Sequence, residues 1–409
     1  MPASEQDSPQ TPAQALQGLK VVECATVIAA PLCGRLLADF GAEVIHVEHP
    51  EKGDDLRHFG FTIDGVNPWW KSYARNKKTV TLNISKPRGR EILFRLLEDA
   101  DIFVENFRPG RLEEWGISYE ILAEINPRLI MVRVSGFGQY GPYSSQPGFG
   151  TLIEAMSGFA HLTGQPDGPP TLPQFALADS FAGCYATMAA MFAVYHRDVI
   201  GTGKGQMIDV SLWESLFSML GPNVLVNQLT GQSPIRTGNR TTTSAPRNIY
   251  RTKDSRWVAL AGSTPATAIR LFKAIGMPEL TDDPRFATNR DRLQNVEALD
   301  AIMDEWIGAR TLDEVTVQLR ENAVPVGPVF DVSDIIGNPH AQARAMVIDS
   351  PDGDGPPLKM EGVVPKMAGT PGAVHHAGRE MGADNAEIFE RRLGLSDEEL
   401  AALKSDNII

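Results

Sequence analysis

The sequence has few of the residues that mark several common classes of protein. Its 409 residues contain three cysteines, Cys24, Cys33 and Cys184, which lie in apolar segments without the spacing of metal ligands. This predicts reduced thiols in the core of a cytoplasmic protein and argues against a disulfide framework. Basic residues are also scarce, since 38 Lys and Arg face 51 Asp and Glu and give a net charge of −13. Nucleic acids and anionic membranes are therefore not expected as partners.

Strong signals for membrane spans or targeting are missing as well. The uncharged stretch 180–195 is shorter than the roughly 20 apolar residues that a membrane span needs, and its small residues predict a buried helix. The first segment, residues 1–17, is rich in Pro, Gln and Ser and has no basic stretch followed by an apolar core. We expect it to be a disordered tail rather than a signal peptide.

Several catalytic signatures are absent from the sequence. It contains no G-x-S-x-G, H-E-x-x-H, C-x-x-C or Walker motif, and so gives no sign of a serine nucleophile, a metal site or an ATP-binding loop. One G-x-G-x-x-G match, residues 136–141, is followed by Pro142 and Pro147 instead of a helix. A dinucleotide site needs that helix, so we interpret the match as a glycine-rich loop. We predict no metal and no permanently bound cofactor.

The sequence does contain an α/β pattern. A chain of this length exceeds the usual size of one hydrophobic core, which predicts two domains. Short β-branched runs alternate with amphipathic segments up to about residue 135, as in a parallel sheet with crossover helices. The predicted strands are residues 19–23, 43–49, 79–84, 101–106 and 128–135. From about residue 226, a hairpin and three helices predict a smaller α+β domain.

Two clusters of basic residues interrupt this acidic chain. Residues 75–78 precede a predicted strand and residues 106–111 follow one. Arg and Lys at the rim of a sheet suit a ligand that carries phosphates. Most surface cations are only solvated, and for either cluster alone that is the more frequent case.

Asp179 opens a predicted helix of small residues, 179–197. An Asp at the start of a helix usually caps the free N–H groups, which is the simpler interpretation. The position also suits chemistry, because the helix dipole favours the ionised carboxylate and an ionised carboxylate can attack an acyl carbon. The residues alone leave both interpretations open.

Ordered motifs from Leu16 to the last helix resemble those of the class III CoA-transferases. They include residues 41–48, 75–78, 105–110, 135–141, 178–179, 203–206 and 393–400. The resemblance implies that Asp179 attacks an acyl-CoA thioester and then carries CoA as an aspartyl thioester. The acceptor carboxylate would reverse these steps, so the reaction needs no ATP.

The resemblance also implies a CoA site and a fold. The implied CoA-contacting residues are Ile28, Ala29, His49, Arg75, Lys78, Leu82, Asn83, Ser85, Asn106, Phe107 and Arg108. CoA and acyl-CoA are substrates in this family. The implied fold is an interlocked homodimer, with a Rossmann-like large domain and a smaller α+β domain in each subunit. We expect residues 18–225 and 330–409 in the large domain and residues 226–329 in the small one.

Racemases of 2-methylacyl-CoA esters are the main alternative, since they also have an Asp at the position of Asp179. They need a His in the segment that matches residues 148–150 and a Glu near residues 263–264. This chain has Phe149 and Thr264 there, and neither can exchange a carbon-bound proton. We therefore expect a transferase, with a racemase and a non-catalytic CoA-ester-binding subunit as alternatives.

The expected substrates are less well defined. Gly150 stands where formyl-CoA transferases have a Glu, so oxalate and formate are not expected. Arg240 and Arg247 precede the predicted hairpin and are candidates for binding the second carboxylate of a dicarboxylic acid. Succinyl-CoA is the expected donor.

Overall fold

The computed structural model describes residues 13–409. Most of the predicted tail, residues 1–12, lies outside the described residues. Residues 15–18 form a turn, and the N–H of Leu16 in it donates to the carbonyl of Phe40 at 2.9 Å. This last part of the expected tail is therefore tied to the body of the protein.

The described chain divides into two compact units. The first contains the chain up to Gly158, Pro173–Gly221 and Gln342–Ile409, and the second contains Phe159–Leu172 and Pro222–Ala341. The second unit thus extends beyond the small domain expected over residues 226–329. Its first segment is held by local hydrogen bonds, such as that from the N–H of Gly238 to the carbonyl of Gly164 at 3.0 Å.

A six-stranded parallel sheet forms the centre of the first unit. Its strands are β1 (Lys20–Cys24), β2 (Glu43–Glu48), β3 (Lys78–Thr81), β4 (Ile102–Glu105), β5 (Ile130–Ser135) and β6 (Met207–Ser211). The order is β3-β2-β1-β4-β5-β6, with parallel pairing throughout. This is the strand order of a doubly wound Rossmann sheet. The predicted strands are confirmed, because their β-branched residues are buried by helices on both faces.

Helices and one hairpin complete the first unit. The helices are Ala29–Asp39, Asp55–His58, Pro68–Tyr73, Pro87–Leu97, Arg111–Glu114, Tyr119–Ile125, Gly150–Met156, Leu177–Asp198, Leu212–Phe217, Ala386–Arg392 and Asp397–Ser405. The hairpin pairs Val347–Asp352 with Gly355–Glu361. Ser396 caps the last helix in a capping box with Glu399, and each partner satisfies an N–H of the other.

The C-terminal segment completes the edge of the sheet at β3. The carboxylate of Asp384 accepts the N–H of Thr79 at 2.8 Å, across 305 residues of sequence. Further along the same edge, the carbonyl of Ile408 accepts the N–H of Asn83 at 2.7 Å. The last part of the chain therefore belongs structurally to the first unit.

The long helix Leu177–Asp198 differs from its prediction. Its Ala-rich side is buried, and Gly183 allows close packing against the helix Ala29–Asp39. The opposite side exposes large apolar residues such as Phe192, which is 63% exposed. Length and composition alone would let this helix cross a membrane. Of its most apolar 18 residues, 33% are buried in the described chain. The predicted buried helix is therefore buried on its Ala-rich side. The expectation of a buried Cys184 was wrong, since Cys184 is exposed on the same helix.

The second unit is built on an antiparallel sheet of three strands. These are β7 (Arg247–Arg251), β8 (Trp257–Ala261) and β9 (Val326–Pro328), with β8 in the middle. Its helices are Phe159–Leu162, Asn223–Thr230, Pro265–Ala274, Pro278–Thr281, Asn289–Gln294, Val296–Gly308, Leu312–Glu321 and Val332–Gly337, and Pro339–Ala343 follows at the boundary. The predicted hairpin and three helices are confirmed.

Candidate active site

A cleft opens where the loops after β1, β4 and β5 meet. β1 and β4 are neighbours in the sheet although β2 and β3 separate them in sequence. The strand order therefore reverses between β1 and β4, which makes this a topological switch point. Ligands of doubly wound sheets bind at such points, outside the carboxyl ends of the strands. The cleft has a volume of about 210 Å³ and is lined by residues 26–29, 55, 106–109, 134–136, 144, 146–149, 179 and 212. We call it the Asp179 cleft.

A second cleft adjoins the first, since Thr26 and Phe107 line both. It has a volume of about 330 Å³ and is lined by residues 24–26, 47–49, 52–54, 82–85, 107 and 115. We call it the His49 cleft. Phe107 packs edge-on against Trp115 at 5.2 Å between ring centres, which gives this cleft an aromatic wall.

The two clefts contain most of the residues expected to contact CoA. Ile28, Ala29, Asn106, Phe107 and Arg108 line the Asp179 cleft together with Asp179. The His49 cleft contains His49, Leu82, Asn83 and Ser85. Residues that are far apart in sequence therefore converge on two adjoining clefts.

Arg75 and Lys78 are not at either cleft. The guanidinium of Arg75 is fully buried and makes two hydrogen bonds to the carboxylate of Asp39, at 3.0 and 2.6 Å. Lys78 binds Glu43 at 2.6 Å and Glu387 at 2.7 Å. Carboxylates already neutralise both cations, so Arg75 and Lys78 have a structural role and do not form part of the CoA site that the sequence predicts.

The carboxylate of Asp179 is partly buried near the start of the long helix. The helix begins at Leu177 with Ala176 as its N-cap, so Asp179 is its third residue, and the N-cap interpretation was wrong. Gly150 leaves room for the carboxylate, since a Cβ there would lie 2.1 Å from Oδ2 of Asp179. Burial and then the charge of Glu154 raise the pKa of Asp179 to about 6, against the lowering effect of its own backbone N–H.

Glu154 caps the long helix from outside. Its Oε1 accepts the N–H of Leu177 at 3.0 Å and that of Ala178 at 3.3 Å. These two N–H groups at the start of the helix would otherwise lack partners. No local spacing in the sequence identifies Glu154, because it caps a different helix from its own. The i, i+4 relation to Gly150 is the one pattern that places both residues on the same face.

The described lining of each cleft contains one Arg or Lys, in spite of the negative net charge. Arg108 is exposed in the Asp179 cleft, and no described carboxylate lies within ion-pair distance of it. Lys52 lines the His49 cleft. Partial burial, followed by the positive charges of Lys52 and Lys86, lowers the pKa of His49. Arg108 and Lys52 are therefore the lining cations that phosphates of a ligand would contact.

The positions that racemases use for proton transfer hold no acid or base. Phe149 lines the Asp179 cleft with 71% of its surface exposed, and Thr264 caps the helix Pro265–Ala274 in the second unit. The described lining of the Asp179 cleft contains no His or Cys, and its titratable residues are Asp55, Arg108 and Asp179. Within residues 13–409, no three potential ligands cluster as a metal site.

The two arginines expected to bind a carboxylate lie in the second unit. Nε of Arg240 donates to Asp300 at 2.6 Å, so its charge is already compensated. Arg247 lines an open cleft with Asn239 and Asn248. Its Nη1 donates to the backbone carbonyls of Asn239 and Arg240, and its remaining donors have no described carboxylate partner. Arg247 is therefore the better candidate.

Comparison with known proteins assigns the chain to a family. The model of CoA-transferase family III matches residues 16–385. The chain belongs to CoA-transferase family III. The expected class of enzyme is thereby confirmed.

Family III members with named activities are close in sequence and length. The chain is 41% identical to the succinyl-CoA–D-citramalate CoA-transferase of Chloroflexus aurantiacus, over 98% of this chain and 100% of that protein. It is 39% identical to the succinyl-CoA–L-malate CoA-transferase beta subunit of the same organism, over 96% and 98%. A CAIB/BAIF family protein from Brucella suis, of known structure, has a TM-score of 0.82 at 34% identity, over 93% and 99%. The α/β fold is shared with that structure.

Proposed function

We propose that this family III enzyme transfers CoA from succinyl-CoA to a dicarboxylic acid, with Asp179 as the covalent nucleophile. The observation that supports this most directly is that Asp179 shares its cleft with five of the residues expected to contact CoA. A carboxylate with a pKa of about 6 is mostly ionised at pH 7 and more basic than an ordinary Asp. Both properties suit attack on an acyl carbon.

The proposed reaction balances without a proton donor. A carboxylate oxygen of Asp179 attacks the thioester carbon, the carbon–sulfur bond breaks, and CoA leaves as a thiolate while an anhydride forms. The thiolate attacks the aspartyl carbon of the anhydride and releases succinate. The acceptor carboxylate then attacks the aspartyl-CoA thioester, and the expelled thiolate attacks the acyl carbon of the new anhydride. This gives the product acyl-CoA and frees Asp179, which fits a described lining without His or Cys.

CoA binds in this proposal as a substrate along both clefts. The thioester end occupies the Asp179 cleft, because the nucleophile must reach the reacting carbon. The nucleotide end occupies the His49 cleft, where the aromatic wall and His49 offer stacking surfaces. Arg108 and Lys52 bind phosphate oxygens. No permanently bound cofactor takes part.

The substrates are proposed from the relatives and from Arg247. The two Chloroflexus enzymes are named for succinyl-CoA and for citramalate or malate, which are both hydroxylated dicarboxylic acids. We infer that the acceptor is a small acid of this class. Arg247, with free guanidinium donors, binds its second carboxylate, whereas Arg240 is occupied by Asp300.

A cytoplasmic, interlocked homodimer is the proposed assembly. The exposed apolar side of the long helix, which includes Met188, Phe192 and Tyr195, supports a partner surface of apolar character. We expect light scattering of the purified protein to give twice the mass of 44.6 kDa. A monomer at micromolar concentration would contradict this part of the proposal.

The decisive experiment is a substrate screen with a matched variant. Purified protein is incubated with succinyl-CoA and a panel of mono- and dicarboxylic acids, and acyl-CoA products are identified by mass. We expect transfer to a hydroxylated dicarboxylic acid without ATP, and a loss of about 10³-fold or more in Asp179→Asn. Hydroxylamine added with succinyl-CoA should leave a hydroxamate on Asp179. Full activity of Asp179→Asn would refute the nucleophile.

The same protein distinguishes the two alternatives. A racemase would introduce deuterium at the α-carbon of a 2-methylacyl-CoA in D₂O, and we expect no deuterium. A non-catalytic binding subunit would show no transfer as a single purified chain.

Replacing Arg247 with Gln should raise KM for the dicarboxylic acceptor and leave KM for the donor unchanged.

A further inference from the structure

Val27 has a backbone conformation that β-branched residues rarely adopt. Its φ is 69°, in the left-handed region, where a branched side chain crowds its own backbone. Val27 lines the Asp179 cleft and directly precedes Ile28 and Ala29. Strained residues persist only where their surroundings hold them, and they concentrate at ligand sites. The structure shows what holds Val27.

The carboxylate of Asp54 holds Val27 from one side. Its Oδ1 accepts the N–H of Val27 at 2.9 Å and that of Leu56 at 2.8 Å. Its Oδ2 lies 3.4 Å from Nε2 of His46, which is an ion-pair contact rather than a hydrogen bond. Asp54 and His46 are each 1% exposed, so water does not compete for these contacts.

A connected series of charged side chains also leads from His46 to the segment that follows Val27. Nδ1 of His46 lies 2.6 Å from Oε1 of Glu23, and that oxygen accepts a hydrogen bond from Lys77 at 2.7 Å. Lys77 also donates to the carbonyl of Pro31 at 2.7 Å. We call Glu23, His46, Asp54 and Lys77 the buried network. It contains two acids and two bases, which compensate one another when His46 is protonated.

A glycine gives independent support for the buried network. A Cβ at Gly34 would lie 1.8 Å from Oε2 of Glu23. The helix Ala29–Asp39 therefore lacks a side chain where the carboxylate of Glu23 passes. Both ends of the network contact the segment 27–31, at the N–H of Val27 and at the carbonyl of Pro31.

We propose that Asp54 and His46 are positioning residues for acyl-CoA, which fix Val27 in its left-handed conformation so that residues 27–29 present the correct surface to the ligand. This inference rests on the proposed function, because it takes acyl-CoA as the occupant of the Asp179 cleft. The residues act through Val27 and take no part in the chemical steps.

A double-mutant cycle tests this coupling. The variants are Asp54→Ala, Val27→Gly and the combination of both, and the readout is the dissociation constant for CoA from calorimetry. Asp54→Ala should weaken binding about 10-fold or more, because Val27 then leaves the left-handed region. Glycine adopts a positive φ without strain, so Val27→Gly alone should cost about threefold or less. The dissociation constant of the double variant should be close to that of Val27→Gly. The loss of binding free energy should therefore be well below the sum of the losses in the two single variants.

Additive effects would overturn the proposal, because a role of Asp54 in general stability gives no reason for rescue by glycine. Unchanged affinity in Asp54→Ala would also overturn it. If circular dichroism shows that Asp54→Ala is unfolded, Asp54→Asn replaces it in the cycle. Asn keeps the acceptor for Val27 but loses the charge opposite His46, so we then expect a loss of about threefold in Asp54→Asn and no further loss when Asp54→Asn is added to Val27→Gly.

Binding of CoA and transfer are measured separately, which separates this inference from the proposed function. A wild type that binds CoA without transferring it would refute the function and leave the cycle decisive. A wild type that does not bind CoA would overturn both. Hydrogen exchange of the segment 25–33 without ligand gives a direct structural readout: Asp54→Ala should exchange faster there, and equal exchange would contradict the restraint on Val27.

Discussion

The carboxylate of Asp179 combines a raised pKa with a position that leaves it partly buried. Its pKa of about 6 exceeds the usual value near 4, so the folded protein keeps this proton between about pH 4 and 6 where the unfolded chain has lost it. The free energy of unfolding therefore falls as pH rises through this window. Asp179→Asn removes the buried charge and should stabilise the protein at pH 7.5 by about 1–3 kcal/mol. Urea unfolding at pH 7.5 and pH 4 should show this gain at the higher pH and its disappearance at the lower one.

The charge of Glu154 is expected to tune the pH dependence of transfer. The nucleophile must be ionised, so kcat/KM should fall as pH drops below about 6. Glu154→Gln keeps an oxygen that can accept the N–H groups of Leu177 and Ala178 but removes a negative charge near Asp179. The acidic limb should therefore move to lower pH. Rate profiles between about pH 4.5 and 8.5 measure this shift, and an unmoved limb would show that the charge of Glu154 does not act on Asp179.

At the scale of secondary-structure elements, the short helix Gly150–Met156 packs at the start of the long helix and positions it. Gly150 leaves space for the carboxylate of Asp179, and Glu154 caps the long helix one turn later. Gly150→Ala should displace the carboxylate, because the new Cβ would lie 2.1 Å from Oδ2. We expect kcat to fall about 10- to 100-fold. Gly369→Ala is the matched control, since its Cβ would meet nothing within 4 Å, and its kcat should equal that of the wild type.

The strand β2 contributes a buried cation to the sheet. Burial disfavours the charged ring of His46, but contacts with Asp54 and Glu23 outweigh it and raise the pKa to about 9. Glu48 and the ring of Trp70 also face His46. This raised pKa contributes stability that is complete below about pH 6.5 and lost as pH rises through about 9. Chemical unfolding should give a free energy of unfolding that is lower at pH 9.5 than at pH 7 by up to about 3 kcal/mol. In His46→Gln, this decrease between the two pH values should be absent.

The sequence predicts elements better than the partners of single side chains. β-branched runs located five strands within a few residues, because strands buried on both faces need such side chains. A capping box such as that of Ser396 and Glu399 is equally readable in a sequence, since both of its members lie in one short segment. The hydrogen bond from Leu177 to Glu154 and the ion pair between Arg75 and Asp39 each join two residues that only the folded chain brings together. No local pattern distinguishes such an arginine from one that binds phosphate.

At the scale of the whole molecule, an acidic protein must bind an anionic ligand. The net charge of −13 repels CoA at long range, so the cations at the clefts have to provide the local attraction. Arg108→Ala should raise KM for the acyl-CoA about 10-fold with a smaller effect on kcat, because a phosphate contact acts on ground and transition states alike. KM should also depend less steeply on salt in this variant. A loss confined to kcat would contradict a phosphate contact.

The return of the C-terminal segment to β3 has a consequence for how the protein is made. On the ribosome, the N–H of Thr79 emerges long before its acceptor Asp384, which lies 305 residues later. At about 5–20 residues per second, the nascent chain waits roughly 15–60 s for that partner. During this interval the edge of the sheet at β3 has an unpaired backbone that can associate with other strands. The enzyme is therefore expected to depend on chaperones during synthesis more than a protein whose sheet closes in sequence order.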